Sequence, residues 1–292
     1  MIYTIENDRL TCTIDSHGCE LKSVKENKTD KEYMWNGDPA FWGRTSPVLF
    51  PFVGSVKDKK YRYDGSTYEM GQHGFARDME FTLISNTDDE IWMELTDSAE
   101  TITKYPFHFR LKIGYRLIDM ALTVLWRVEN RNDSDMFFAI GAHPGFMMPG
   151  EEHHEFRLYD KKGNKVRSIV NRIFAGAGCV SDRTEVIKTP DGVLPITGRL
   201  FDGDALVIEN DQLGKVELAK EGSDIPEITV EFGSPLVGLW SPPKKNAPFV
   251  CIEPWYGRCD SESFAGEISD RDYEQTLGPG KEFEAEYTIK FG

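Results

Sequence analysis

Apolar and polar residues alternate with a period of two wherever a period is visible along this chain. In "KEFEAEYTIKFG", Phe283, Ala285, Tyr287, Ile289 and Phe291 share one face, while Glu282, Glu284, Glu286, Thr288 and Lys290 share the other. That is the pattern of a half-buried strand. The same spacing groups Phe109, Leu111, Ile113, Tyr115 and Leu117 in "FHFRLKIGYRL", and Leu122, Val124, Trp126 and Val128 in "LTVLWRVEN". The "IDM" between these two runs is short enough for a hairpin. Turn chemistry recurs at "WNGD", "YDGS", "KKGN", "PDGV", "FDGD" and "LGPG", and no apolar stripe of helical period lasts more than a few turns. The pattern predicts an all-β fold with scarce helix, built as a large antiparallel β-sandwich or two stacked sandwiches. No linker, repeat or low-complexity tract interrupts residues 1–292, so one domain is expected.

A chain of 292 residues with 39% hydrophobic residues can bury a sizeable core. Its formal charge of −15 is spread along the chain, which argues against a sequence-independent grip on nucleic acid or on anionic lipid, since both need a basic surface. The start "MIYTIENDRL" has neither the basic opening nor the apolar centre of a signal peptide, and no stretch approaches the roughly 18 apolar residues of a membrane span. The expectation is a cytoplasmic monomer or homodimer acting on a small molecule, with neither nucleic acid nor membrane as partner. Cys12, Cys19, Cys179, Cys251 and Cys259 are odd in number and form no CxxC pair, so reduced thiols are expected rather than a disulfide scaffold or a four-thiolate zinc site.

Several cofactor-like signals fail on spacing. "FAGAGCVS" lacks the third glycine and following helix of a dinucleotide fingerprint and reads as a loop. "FDGDALVIEN" lacks the ligand series of a calcium loop and reads as a turn entering a strand. His153 and His154 in "GEEHHEF" are adjacent, which on a strand points them to opposite faces, and a solvated loop is the expectation there. His108 fits a hydrogen-bonded structural histidine within a strand, and His17 sits in the turn "DSHG".

Three segments combine polar chemistry with an apolar frame. The first holds Arg44 in "FWGRTSPVLFPFVG" and His73 and Arg77 in "GQHGFAR"; these side chains either donate to ligand hydroxyls or are a surface arginine and a turn histidine, and the flanking glycines permit a ligand to approach closely. In the second, "FFAIGAHPGFMMPG", His143 follows an apolar run, and Pro144 and Gly145 are read as ending the strand and leaving the imidazole at an edge that faces a cavity. A packed core histidine is the alternative. The third, "PFVCIEPWYGRCDS", sets Glu253 between Phe249, Val250, Cys251 and Ile252 on one side and Pro254, Trp255 and Tyr256 on the other. Burial of a carboxylate is costly unless it is paired or used, and apolar neighbours raise its pKa towards the range of a general base. Trp255 and Tyr256 offer flat faces to a sugar ring.

Taken in order, "GCELKSV", "YMWNGDPAFWGRTSPVLFPFVG", "GQHGFAR", "YPFHFRLKIGYRL", "GAHPGF" and "CIEPWYG" resemble the aldose 1-epimerase (mutarotase) family, particularly its lactose-operon-associated branch, over about residues 18–257. The resemblance implies a galactose-mutarotase-like supersandwich that uses no metal or organic cofactor. It implies His143 as general acid, Glu253 as general base, and His73 and Arg44 as binders of sugar hydroxyls. The chain departs from the family's Tyr-Asp-His-Asn stretch, which carries a substrate-binding aspartate; Asp202 and Asp204 in "LFDGDALVIEN" are the candidates in its place. The chemistry implied is removal of the anomeric hydroxyl proton with protonation of the ring oxygen, by groups expected on opposite sides of the sugar, then rotation and reclosure on the other face.

Two other classes set the comparison. A binding-only carbohydrate module needs the aromatics and Arg44 but no acid and base, and a glycoside hydrolase normally needs two carboxylates where one is well framed here. Arg44, Lys57, Lys59, Lys60 and Arg77 are close enough in sequence for a hexose-6-phosphate site to be conceived, but an unphosphorylated aldose is expected because "SVKDKKYRYDG" fits a solvated turn.

Overall fold

The computed structural model describes residues 1–148, 150 and 153–292. Each alternating run becomes a strand whose apolar face is buried. Phe109–Ile118 and Ala121–Asn130 pair through the two-residue turn at Asp119 and Met120, with Leu122 opposite Leu117 and Trp126 opposite Ile113. Glu282–Phe291 lies on the other side of Ala121–Asn130, with Trp126 opposite Ala285. Asp119 adopts a left-handed φ of 51°, the backbone that tight hairpins of this length favour and that aspartate tolerates.

These three strands are the middle of a nine-stranded antiparallel sheet running from Val193–Ile196 at one edge to Thr82–Asn86 at the other. A second large sheet of eight strands runs, in order, through Cys179–Lys188, Ser168–Gly176, Leu206–Ile208, Leu236–Trp240, Phe249–Tyr256, Ile140–Ala142 and Val48–Leu49, with Gly145–Met147 also pairing on Phe249–Tyr256. The main core joins the two: Phe109, Ile113 and Trp126 from the first sheet share one buried cluster with Ile208, Leu239, Val250 and Ile252 from the second. The architecture is the all-β, large antiparallel fold that the period of two predicts. Helix is scarce, as expected; the α-helix Ala99–Lys104 is six residues long, and no helix among the described residues is long and apolar enough to cross a membrane.

Phe249–Tyr256 has no visible period because both of its faces are covered. Val250 and Ile252 point into the main core, whereas Phe249 and Cys251 belong to a second cluster with Trp35, and Trp255 to a third with Val53 and Cys259. A central strand buried on both faces reads as a continuous apolar run. All five cysteines are free and buried.

Two expectations are corrected. His154 is not in a solvated loop: it opens the strand His154–Tyr159, is 5% exposed, and holds its Nε2 3.2 Å from Glu227 Oε2. His153 beside it is exposed. The strand end read at His143 proves to be a break: Ile140–Ala142 stops just before it, and pairing on Phe249–Tyr256 resumes in Gly145–Met147.

Candidate active site

The interrupted strand at His143 builds the site. Before the break Gly141 pairs with Trp255, and after it Gly145 pairs with Cys251. The register is therefore the same on both sides, and His143 falls opposite Glu253 across the sheet. Directly opposed residues have Cβ atoms about 4.5–5.5 Å apart, so two long side chains on the same face must meet. His143 Nε2 lies 3.3 Å from Glu253 Oε2. Gly141 and Gly238 make room for the indole of Trp255, since a Cβ on either would come within 2.6 Å and 2.4 Å of it respectively.

The pair sits at the floor of a cavity of about 330 Å³ walled by Trp42, His73, Arg77, Asp204, Trp240 and Trp255. That volume holds roughly eleven waters at ~30 Å³ each, so it takes one hexose ring. A larger, shallower hollow of about 780 Å³ around Lys161, Lys215 and Tyr256 has no histidine among the described residues that line it, and so lacks a carboxylate–imidazole pair framed by aromatic walls.

Burial dominates the electrostatics. It pushes the Glu253 carboxyl well above its ordinary range, with the charge of Asp204 adding to the rise and the Trp255 indole N–H opposing it. That N–H faces the carboxylate without closing a hydrogen bond of ordinary geometry. Burial, with the charges of Arg77 and Arg44 acting in the same direction, lowers the His143 imidazole to about 3. Glu253 Oε2 and His143 Nδ1 have no hydrogen-bond partner among the described residues. Unsatisfied polar atoms at the bottom of a cavity are what an arriving polyol can satisfy.

His73 is held in a left-handed conformation with φ 65°. Its backbone N–H donates to the Gly54 carbonyl at 2.7 Å, and its Nδ1 accepts from the Gly54 N–H at 3.1 Å. Because Nδ1 accepts, the ring proton is on Nε2, which makes His73 a neutral donor. Burial, with help from His143, Arg77 and Arg44, holds its pKa well below the ordinary value. Gly74, at φ +71°, lets this turn pack against Phe50, whose carbonyl oxygen would lie 2.3 Å from any added Cβ.

The other candidates separate. Arg77 lines the cavity, with one guanidinium nitrogen donating to the Gln72 carbonyl at 2.7 Å and its buried Nε 3.8 Å from Asp78 Oδ2 without closing a hydrogen bond. Arg44 does not line it; Asp78 holds its guanidinium at 2.6 Å, so Arg44 acts on the two histidines by its charge. Asp204 lines the cavity, whereas Asp202 faces Arg199 at 3.6 Å and takes no part in the wall. Lys57, Lys59 and Lys60 are likewise absent from the wall, which leaves Arg77 as its Lys/Arg member among the described residues. His143 and Glu253, the acid and base that the resemblance implies, lie side by side at 3.3 Å, not on opposite sides of the substrate space as the expected chemistry suggested. Adjacency is compatible with that expected chemistry, because the ring oxygen and the anomeric oxygen are bonded to the same carbon.

Sequence reasoning missed Trp42 and Trp240. The indole of Trp42 stacks on the His143 ring at 4.7 Å and 28°, and Trp240 meets that ring edge-on at 5.3 Å and 86°. Trp42 continues a stack through Phe249 to Trp35, and its carbonyl accepts the Trp35 indole N–H at 2.8 Å. The available signal was Trp42 lying two positions before Arg44 in "FWGR"; nothing local marks Trp240.

Comparison with known proteins agrees with this architecture. The chain is 29% identical over 281 residues to the chromosomal protein LacX of Lactococcus lactis subsp. lactis, covering 93% of each chain. It superposes on a galactose mutarotase related enzyme of Lactobacillus acidophilus with a TM-score of 0.93 at 35% identity, covering 100% of this chain and 97% of that one. A galactose mutarotase-like protein of Lactobacillus casei matches with a TM-score of 0.91 at 29% identity over 100% of both chains. With a family model, aldose 1-epimerase, matching residues 1–290, the chain belongs to the aldose 1-epimerase family.

Proposed function

We propose that this protein is a mutarotase that interconverts the α and β anomers of an unphosphorylated aldose, with Glu253 as base and His143 as acid. What carries the assignment is the 3.3 Å contact between His143 Nε2 and Glu253 Oε2 at the floor of a hexose-sized cavity. Burial disfavours charge on both, which favours a protonated carboxyl beside a neutral imidazole as the resting pair. It differs by a single proton, moved across that contact, from carboxylate and imidazolium. In that form Glu253 takes the proton of the anomeric hydroxyl, the bond from the anomeric carbon to the ring oxygen breaks, and His143 donates to the ring oxygen. The open-chain aldehyde is left beside the resting neutral pair. Rotation about C1–C2 and the reverse transfers close the other anomer. His73 Nε2–H and Arg77 bind hydroxyls, Asp204 accepts from them, and Trp255 and Trp42 give the ring apolar faces. A single arginine in the wall favours a neutral sugar over a phosphorylated one.

The test is polarimetry on a freshly dissolved anomer, corrected for spontaneous mutarotation, across free and 6-phosphorylated aldoses. Glu253→Gln and His143→Asn are expected to lower turnover ~10²–10⁴-fold on the best sugar, the scale of a positioned acid or base. The double variant is expected to be far from additive. Folded Glu253→Gln with wild-type turnover removes Glu253 as the base. Sugar binding without any acceleration in the wild type makes the protein a binding module. A strong preference for a 6-phosphate overturns the substrate assignment.

A further inference from the structure

Cys251 has no part in the proton transfers, yet the strand aims it at the groups that do. It is two residues before Glu253, so both side chains leave the same face of Phe249–Tyr256. The Cys251 sulfur, a ring nitrogen of His143 and a carboxylate oxygen of Glu253 all lie within 4.8 Å of one another, and all three residues are buried.

Thiolate, imidazole and carboxylate together are the donor set of zinc. With Zn–N and Zn–O near 2.0–2.2 Å and Zn–S near 2.3 Å, tetrahedral geometry separates nitrogen from oxygen by about 3.3–3.5 Å and sulfur from either by roughly 3.6 Å. The 3.3 Å between His143 Nε2 and Glu253 Oε2 meets the first requirement. The sulfur needs to approach by about 1 Å, within reach of a small χ1 adjustment. Glu253 Oε2 closes no hydrogen bond of ordinary geometry among the described residues, and His143 and Glu253 both line the cavity, so a fourth ligand can approach from that side.

We propose that His143, Cys251 and Glu253 form a three-ligand site for Zn²⁺ whose occupation ties up the acid and base and competes with sugar. The ion here is an inhibitor, not a cofactor. The inference rests on the acid–base pair assigned above, but metal binding is measured without reference to turnover, so the two fail separately.

The experiment uses the full chain, treated with chelator and kept reduced with a phosphine. Calorimetric titration with ZnCl₂ is expected to show one site, and Co²⁺ in its place to give a thiolate-to-cobalt charge-transfer absorption. Cys251→Ser is expected to lose that absorption and to weaken Zn²⁺ binding by more than the ~10–100-fold typical of losing an outer-shell partner. Cys259→Ser, at a cysteine that lines the cavity but is not one of the three ligands, is expected to keep both. Cys251→Ala, with circular dichroism as a check on folding, repeats the test without the hydroxyl. In sugar assays Zn²⁺ is expected to raise the apparent KM of the wild type and leave Cys251→Ser turning over at its metal-free rate. Absence of the cobalt–thiolate absorption, or equal Zn²⁺ affinity in wild type and Cys251→Ser, overturns the proposal. Metal binding in a protein that accelerates no sugar leaves the site standing and removes the mutarotase assignment.

Discussion

Replacing His143 by asparagine is expected to make the protein respond differently to acid, by an amount that follows from burial. The imidazole titrates near 6.5 in an unfolded chain and near 3 in the folded one, chiefly because the fold strips it of water. The sign follows from proton counts. Below pH 6.5 the unfolded chain binds a proton at this residue that the native state refuses, so stability falls as pH falls, down to about pH 3. Linkage puts the loss at ~2 kcal/mol by pH 5 and ~3.4 kcal/mol by pH 4. The pH 5 figure is nearly independent of the native value, because at that pH the native imidazole is already neutral. Asparagine does not titrate and escapes this loss. Its own cost, from lost stacking on Trp42 and Trp240, is the same at every pH and cancels when pH values are compared. The assay is urea unfolding of wild type and His143→Asn at pH 7.5 and pH 5. The stability difference between them is expected to shift by ~2 kcal/mol in favour of the variant at pH 5, equivalent to ~3 °C in Tm for a chain of this size. Parallel pH dependences would refute the claim that burial keeps His143 neutral.

Glu253→Gln is expected to gain stability over wild type as pH rises above about 4.3. The raised native pKa means the folded state holds its carboxyl proton more tightly than the unfolded chain, so wild-type stability declines with pH by at most ~1.36 kcal/mol per unit; urea melts from pH 4 to 8 check the slope, and a flat difference between the two proteins contradicts it. Gly74→Ala combines a left-handed φ of +71° with a Cβ 2.3 Å from the Phe50 carbonyl oxygen, and is expected to cost roughly 2–4 kcal/mol and to weaken sugar binding by displacing His73. A variant within ~0.5 kcal/mol of wild type with unchanged KM shows that the turn has room to relax.

What the sequence determined by itself is the class of the fold and the inward face of its one-sided strands. At Phe109–Ile118, Ala121–Asn130 and Glu282–Phe291 the period of two is legible because each strand buries one face, so the partition is written in every second residue. The motifs also named His143, Glu253, His73 and Arg77 as candidates. They left open which residues meet. Phe249–Tyr256 is buried on both sides, so its pattern cannot say that Glu253 leaves on the cavity face while Val250 and Ile252 leave on the core face. The pairing of His143 with Glu253 is a matter of register between strands far apart in sequence, carried across a break that the local Pro–Gly signal misrepresents as a strand end. Choices between neighbours were equally tertiary. Arg77 lines the cavity and Arg44 does not because Asp78 holds Arg44 aside, and Asp204 enters the wall while Asp202 faces Arg199. Trp42 stacks on His143 and, further along the same stack, on Phe249 and through it on Trp35, residues far from it in sequence apart from Trp35. Local alternation reports how each residue divides water from core, whereas a site is a set of contacts between segments, and those are set by sheet order and register that only the whole fold supplies.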